Sequence, residues 1–154
     1  LEVVFFRWLS DKFGIYIRLS HEFEWEAASR YPDGRFYPWG SRFNTDWANI
    51  DEGRIGQPTT VGLYPSGKNE ALELYDLSGN VWEWCRNKYG EPEADGVDQS
   101  RDSRVLRGGS WHRGPDLARA AFRYNLNPDL RAAYLGFRVV VAISSRPLTS
   151  VPGG

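Results

Sequence analysis

Val4, Phe5, Trp8, Leu9 and Phe13 recur at helical spacing just ahead of Gly14, which predicts an amphipathic helix over residues 2–13 stopped by that glycine. Ile15-Tyr16-Ile17 is a short apolar run, and Ser20 then stands as the N-cap of a second helix reaching Ser29, with His21 exposed in its first turn. Glu22, Glu24 and Glu26 suit the N-terminal half of that helix through its dipole and read as solvated helix charge. From Tyr31 to Leu72 the periodicity is lost. Pro32-Asp33-Gly34, Trp39-Gly40, Asp51-Glu52-Gly53, Pro58 and Pro65-Ser66-Gly67 punctuate a stretch of turns. Alternation returns at Tyr75 to Cys85, where Val81, Trp82 and Trp84 predict a strand after the Gly79-Asn80 turn. Glu91 to Ser103 is acidic and reads as a mobile connection.

The last quarter organises the rest. Arg104-Val105-Leu106-Arg107-Gly108-Gly109-Ser110-Trp111 reads as a short strand turned sharply by a glycine pair, and Gly136-Phe137-Arg138-Val139-Val140-Val141 as a β-branched strand fit for burial. Between these frames, His112 to Leu135 follows neither the helical nor the strand period and carries prolines, asparagines and arginines. Such a segment is a long structured loop held by two strands, the usual place for a binding site.

Composition narrows the field. A chain of 154 residues with 41% hydrophobic residues is one domain's worth and can bury a core. A net charge of −1 supplies no global field, so neither nucleic acid nor a membrane surface is the expected partner. Cys85 is the single cysteine, which excludes an internal disulfide and reads as a small buried hydrophobe. No apolar run is long enough to span a bilayer, and no signal-peptide pattern occurs. The absence of methionine is what a fragment or a trimmed chain is expected to show, so the address, cytoplasmic or displayed at a surface through a missing segment, stays open.

Three blocks carry a family resemblance. Ile17 to Ala28 (Ile-Arg-Leu-Ser-His-Glu-Phe-Glu-Trp-Glu-Ala-Ala), Tyr75 to Cys85 (Tyr-Asp-Leu-Ser-Gly-Asn-Val-Trp-Glu-Trp-Cys), and Arg-Val-Leu-Arg-Gly-Gly-Ser-Trp with its downstream Gly-Phe-Arg-Val-Val resemble the signature of the formylglycine-generating-enzyme-like, or sulfatase-modifying-factor, domain. Tyr37-Pro38-Trp39-Gly40 and Asn49-Ile50 fall in order between them. The likeness runs from about Val4 to Ala142. It implies an α+β, C-type-lectin-like fold with two N-terminal helices, short strands and long structured loops: a single domain over residues 1–143, truncated at its N-terminus relative to the family, and a flexible tail over 144–154.

The resemblance implies catalysis only if the family's metal ligands are present. Formylglycine-generating enzymes hold copper(I) with a cysteine pair just after the Gly-Gly-Ser frame, where this chain has Trp111, His112, Arg113 and Gly114. The sulfoxide synthases of the same family hold iron with three histidines, and this chain has only His21 and His112. Ser110 with His112 hints at a hydrolase, but residues two apart are not expected to converge unaided and no nucleophile elbow is present. The chain is therefore read as a non-enzyme with no required cofactor. The resemblance also implies a structural calcium ion at oxygens matching Asp76, Gly79, Val81 and Glu83, against the alternative that Glu83 pairs with an arginine.

A more particular likeness is to the variable proteins targeted by diversity-generating retroelements, in which a template is copied with errors at adenines inside a fixed frame. The frame matches Arg107 to Trp111, Pro115, Arg119, Arg123, Pro128, Arg131 and Gly136 to Arg138. The positions between are His112, Arg113, Gly114, Asp116, Leu117, Phe122, Tyr124, Asn125, Leu126, Asn127, Leu130, Ala132, Ala133 and Tyr134. Each is reachable from an AAC codon by changing adenines alone. Glu, Lys, Gln, Met and Trp are not reachable, and none of them occurs from His112 to Leu135. Phe122, Tyr124 and Tyr134 offer rigid amphipathic area and the asparagines adaptable hydrogen bonds, the division of labour found in antibody loops. Core roles for Leu117, Leu126 and Leu130 are the competing reading, and Arg119, Arg123 and Arg131 are expected to anchor loops through carboxylates or carbonyls.

The function implied is non-catalytic binding of a protein or other macromolecule through a diversified surface over residues 112–135. The alternatives are a divergent family enzyme with an unrecognised site and an accessory domain that self-associates through its N-terminal edge.

Overall fold

A computed structural model describes residues 2–94 and 100–142, so the expected tail over 144–154 and the centre of the acidic connection lie outside the described residues. The described backbone gathers into two compact units, one formed by residues 2–19 with Val139–Ala142, the other by the described residues of Ser20–Arg138.

In the first unit, helix α1 (Glu2–Phe13) ends before Gly14, whose φ of 66° is the left-handed turn that glycine adopts at a helix C-terminus. Strand β1 (Tyr16–Leu19) pairs antiparallel with β6 (Val139–Ala142), with Ile17 opposite Val141 and Leu19 opposite Val139. The hydroxyl of Ser10, buried in α1, donates to the Phe6 carbonyl at 2.7 Å and accepts the Ile17 N–H at 2.9 Å, tying helix to strand. The expectation that the Val139-Val140-Val141 strand is buried is corrected here. Val139 and Val141 are 45% and 49% exposed, because this sheet has two strands and β6 has β1 as its only partner among the described residues.

The second unit begins with α2 (Glu22–Arg30). Its N-cap is His21 rather than Ser20, and His21 is 6% exposed rather than solvated. The imidazole Nδ1 accepts the Phe23 N–H at 3.2 Å while the Glu24 carboxylate accepts the His21 N–H at 2.8 Å, a reciprocal cap in which an imidazole replaces the usual hydroxyl. A four-stranded sheet follows, in the order β4-β3-β2-β5: β4 (Tyr124–Leu126), β3 (Arg104–Arg107), β2 (Trp82–Lys88) and β5 (Leu135–Gly136). The first two pairings are antiparallel and β2 with β5 is parallel. Trp25 of α2 packs with Leu77, Cys85 and Val105 to form one apolar cluster, and Ala48, Ile50 and Ala118 form another. The chain between α2 and β2 is built of turns and three short 3-10 segments, as its punctuation predicts.

Candidate functional site

The segment after β3 is launched by a turn that only glycine can make. Gly108 and Gly109 have φ of 92° and 77°, and a Cβ on Gly109 would lie 2.9 Å from the Ala118 Cα. From there to Leu135 the chain is irregular except for β4, a strand that the pattern did not predict. Three residues, Tyr124–Leu126, are too few to set a period, and their register comes from the ladder with Arg104–Leu106.

Backbone groups and frame side chains hold the segment in place. Ser78 Oγ donates to the Ala118 carbonyl at 2.6 Å, and the Ala120 N–H donates to the Phe36 carbonyl at 2.8 Å. The Trp82 N–H donates to the Tyr134 carbonyl at 2.8 Å, and the Asp51 N–H to the Arg113 carbonyl at 3.2 Å. Arg107, fully buried, donates to the Phe122 carbonyl at 2.8 Å and pairs with Glu26. Arg123 places Nε and Nη2 on Glu22 at 2.5 and 2.7 Å. Arg119 pairs with Asp116 at 2.5 Å, and Arg131 donates to the Pro128 and Leu130 carbonyls at 2.9 Å. The frame arginines thus anchor loops through carboxylates and carbonyls. Glu22 and Glu26 are corrected from solvated helix charge: the two guanidiniums draw them inward, and Glu22 is 1% exposed.

The residues between the frame positions behave differently. Arg113, Asp116, Asn127, Leu130 and Ala133 are exposed, and His112, Gly114, Leu117, Phe122, Tyr124, Asn125, Leu126, Ala132 and Tyr134 are half-buried. None is buried, whereas Arg107 to Ser110, Ala118 and Ala120 are. Leu117, Leu126 and Leu130 are therefore not core residues. The aromatic members rest against the Trp82 indole of β2 and the Trp111 indole of the frame. Phe122 and Tyr124 lie against Trp82, with ring centroids at 6.1 and 5.1 Å, and His112 sits between Trp111 and Tyr134 at 4.8 and 4.5 Å.

Ser110 and His112 do converge, contrary to expectation, because the turn closed by the Arg113 N–H on the Ser110 carbonyl folds the imidazole back to 3.1 Å from Ser110 Oγ. The pair lacks the access and the orienting carboxylate that a nucleophile and base need: Ser110 is wholly buried, and among the described residues no carboxylate hydrogen-bonds His112. Partial burial, and then the Arg113 charge, push the His112 imidazole below its ordinary pKa against the pull of Asp51. Cys85 is buried in the Trp25 cluster and its thiol is pushed up to about 12 by that burial.

The implied calcium donors are also placed. Both Glu83 oxygens are taken: Arg138 Nη2 reaches Oε1 at 2.6 Å, Arg138 Nε reaches Oε2 at 2.5 Å, and Trp25 Nε1 donates to Oε2 at 2.6 Å. Asp76, at φ 54°, accepts the Gly62 N–H at 2.7 Å and its carboxyl is raised by burial. With a guanidinium on both oxygens of Glu83 and the Gly62 N–H on Asp76, the donor set does not fit a hard divalent cation. Among the described residues no group of three or more His, Cys, Asp or Glu side chains is placed to hold a metal ion.

Two helices, curled sheets and loops pinned by arginines define a C-type-lectin-like fold. Residues 3–143 match the sulfatase-modifying factor enzyme 1-like domain, and the chain belongs to that family. It is 36% identical over 137 residues to the inactive C-alpha-formylglycine-generating enzyme 2 of Mus musculus, covering 79% of this chain and 42% of that protein. It is 35% identical over 141 residues to the hercynine oxygenase of Mycobacterium tuberculosis, covering 79% of this chain and 32% of that protein. Among solved structures, Treponema denticola variable protein 1 superposes with a TM-score of 0.65 at 29% identity, over 81% of this chain and 47% of that one. The chain thus spans less than half the length of each of these relatives, which include both an inactive family member and an enzyme.

Proposed function

We propose that this chain is a non-catalytic binding module that presents residues 112–135 as a diversified surface, the target of a diversity-generating retroelement. The observation that carries the reading is the division of labour within the segment. Its shape depends mainly on backbone hydrogen bonds and frame arginines, while the residues proposed to vary are all at least partly accessible and bond only locally, as Asp116 does with Arg119, Asn127 with the Asp129 N–H and His112 with Ser110. Their side chains can change without loosening the loop. The likeness to a variable protein and to an inactive enzyme of the family supports the same reading.

The partner proposed is a protein or another macromolecule. The accessible residues form two aromatic centres, over Trp82 and beside Trp111, with polar groups around them, an arrangement suited to a broad contact rather than a deep pocket. The chain's net charge of −1 gives nucleic acid no electrostatic purchase. Among the described residues no helix is long and apolar enough to cross a membrane.

The test is a library in which codons for the positions between frame residues are replaced by mixtures derived from AAC, selected against unrelated protein targets. Binders with different residues there and an unchanged frame support the reading. A library that yields folded proteins but no binders contradicts it. The competing enzyme reading draws on the hercynine oxygenase likeness. It predicts a ligand cluster that neither His21, used as a helix cap, nor His112, held against Ser110, helps to form.

A further inference from the structure

A cleft of about 300 Å³, lined by Arg35, Trp39, Trp47, Ser66, Lys68 and Glu70, lies among the turns between α2 and β2. It contains none of the residues assigned to the diversified surface. Its walls are a built feature. The Trp39 and Trp47 rings meet edge to face at 84° with centroids 5.9 Å apart, and Trp39 is backed by a stacked Tyr37 at 5.3 Å. The turn at Pro65–Gly67 closes directly on the Trp47 backbone: a Cβ on Gly67 would lie 1.7 Å from the Trp47 carbonyl oxygen.

The charges in the cleft exclude most ligand classes. Both cations are already paired. Arg35 places Nε and Nη2 on Asp33 at 2.8 and 2.9 Å, and the Lys68 ammonium donates to both oxygens of Glu73 at 2.8 Å. An anion would have to displace these carboxylates and would face Glu70. A cation would meet Arg35 and Lys68. Among the described residues no hydrogen bond ties the Glu70 carboxylate, the Ser66 hydroxyl or the Trp47 indole N–H to another group of the chain; Glu70 and Ser66 are exposed, and the three offer an acceptor, a hydroxyl that donates or accepts, and a donor beside apolar indole surface. That set matches a neutral ring with apolar C–H faces and hydroxyls at its edge. The volume is at the small end for ligand sites and admits one or two such rings. From the two indoles, the paired cations and these free groups, we propose that the cleft is a second binding site, for a neutral saccharide.

The test is titration of the ¹⁵N-labelled chain with methyl glucoside, methyl mannoside and N-acetylglucosamine, read at the indole N–H resonances of Trp39 and Trp47. At least one sugar is expected to shift both resonances to saturation with a Kd in the range of about 1 mM, as suits a shallow site with few hydrogen bonds. Glu70→Ala, at an exposed position, and Trp47→Phe are each expected to weaken that binding about fivefold or more, the loss of one hydrogen bond. Tyr134→Asn, in the diversified surface, is expected to leave it unchanged. The assignment is overturned if no sugar shifts either indole, or if both cleft variants bind like the parent chain. It is equally overturned if glucuronate or tetramethylammonium saturates the cleft more tightly than every neutral sugar.

Discussion

The carboxylate of Glu22, the first residue of α2, receives Nε and Nη2 of Arg123 at 2.5 and 2.7 Å across 101 positions of chain. Asn87 Nδ2 donates to the same carboxylate at 2.9 Å, and Asn87 Oδ1 accepts the Glu22 N–H at 2.9 Å. One buried acid thus joins a helix, a central strand and the segment between the frames. Losing the guanidinium would leave that carboxylate buried beside an amide alone. Arg123→Ala is expected to cost about 3–5 kcal/mol, the penalty for orphaning a buried charge. Thermal unfolding should then fall by about 10 °C in a domain of this size. The double variant Glu22→Gln, Arg123→Met should cost less than Arg123→Ala alone.

Tolerance to substitution should follow the frame. Replacing His112, Asn127 and Tyr134 together with Asn, Tyr and Asp is expected to change stability by less than about 1.5 kcal/mol, because none of these side chains is buried and their contacts, His112 with Ser110 and Tyr134 and Asn127 with the Asp129 N–H, are local. Gly109→Ala, whose new methyl would meet Ala118 at a positive φ, is expected to cost more than about 2 kcal/mol. Thermal denaturation of both variants measures the contrast.

Much of this arrangement could be read before the structure. The first helix, the strand at Trp82, the glycine turn and the anchoring role of the arginines follow from spacing and residue type. The C-type-lectin-like fold followed from the family signature, since the loops from Tyr31 to Leu72 have no period from which a fold could be built. The misreadings share one cause. Glu22 and His21 look like surface residues on any helical projection, and only a long-range arginine or a local cap makes them internal. Ser110 and His112 approach because of a turn whose hydrogen bond no spacing rule encodes. The cleft at Trp39 and Trp47 was not legible at all, because its lining comes from three separate turns.

Acid should act on two carboxyls with opposite sign. Burial pushes Glu26 up, but Arg30 and Arg107 together hold it below its ordinary 4.5, so its stabilisation is complete above that pH and is lost as pH falls through the folded value. Asp76 lies above its ordinary 3.8, chiefly through burial, so its contribution is present at low pH and is lost as pH rises from 3.8 through the folded value. Asp76→Asn therefore removes an ionisation penalty at pH 7 and suits the left-handed backbone at that position. It is expected to raise stability by less than about 1 kcal/mol, and adding calcium or a chelator should leave the melting temperature of the parent chain unchanged. A loss of stability in Asp76→Asn together with a calcium-dependent rise in the parent would show that a cation sits there after all.

The Cys85 thiol, enclosed by Trp25, Leu77 and Val105 and pushed up to about 12, should not react with a disulfide reagent in the folded protein at pH 8. One equivalent should react after unfolding in guanidinium. Fast labelling of the native chain would mean that this cluster opens.

The central claim is that residues 112–135 vary by design while their frame does not. Sequencing the coding locus and its neighbourhood tests it most directly. A near-copy of the segment encoding Arg107 to Arg138 is expected, lying beside a reverse-transcriptase gene, with adenines at the codons of the accessible positions and matching codons at Arg107, Arg119, Arg123 and Arg131. A locus with no such copy, or a copy whose adenines fall on the codons of those frame residues, would contradict it.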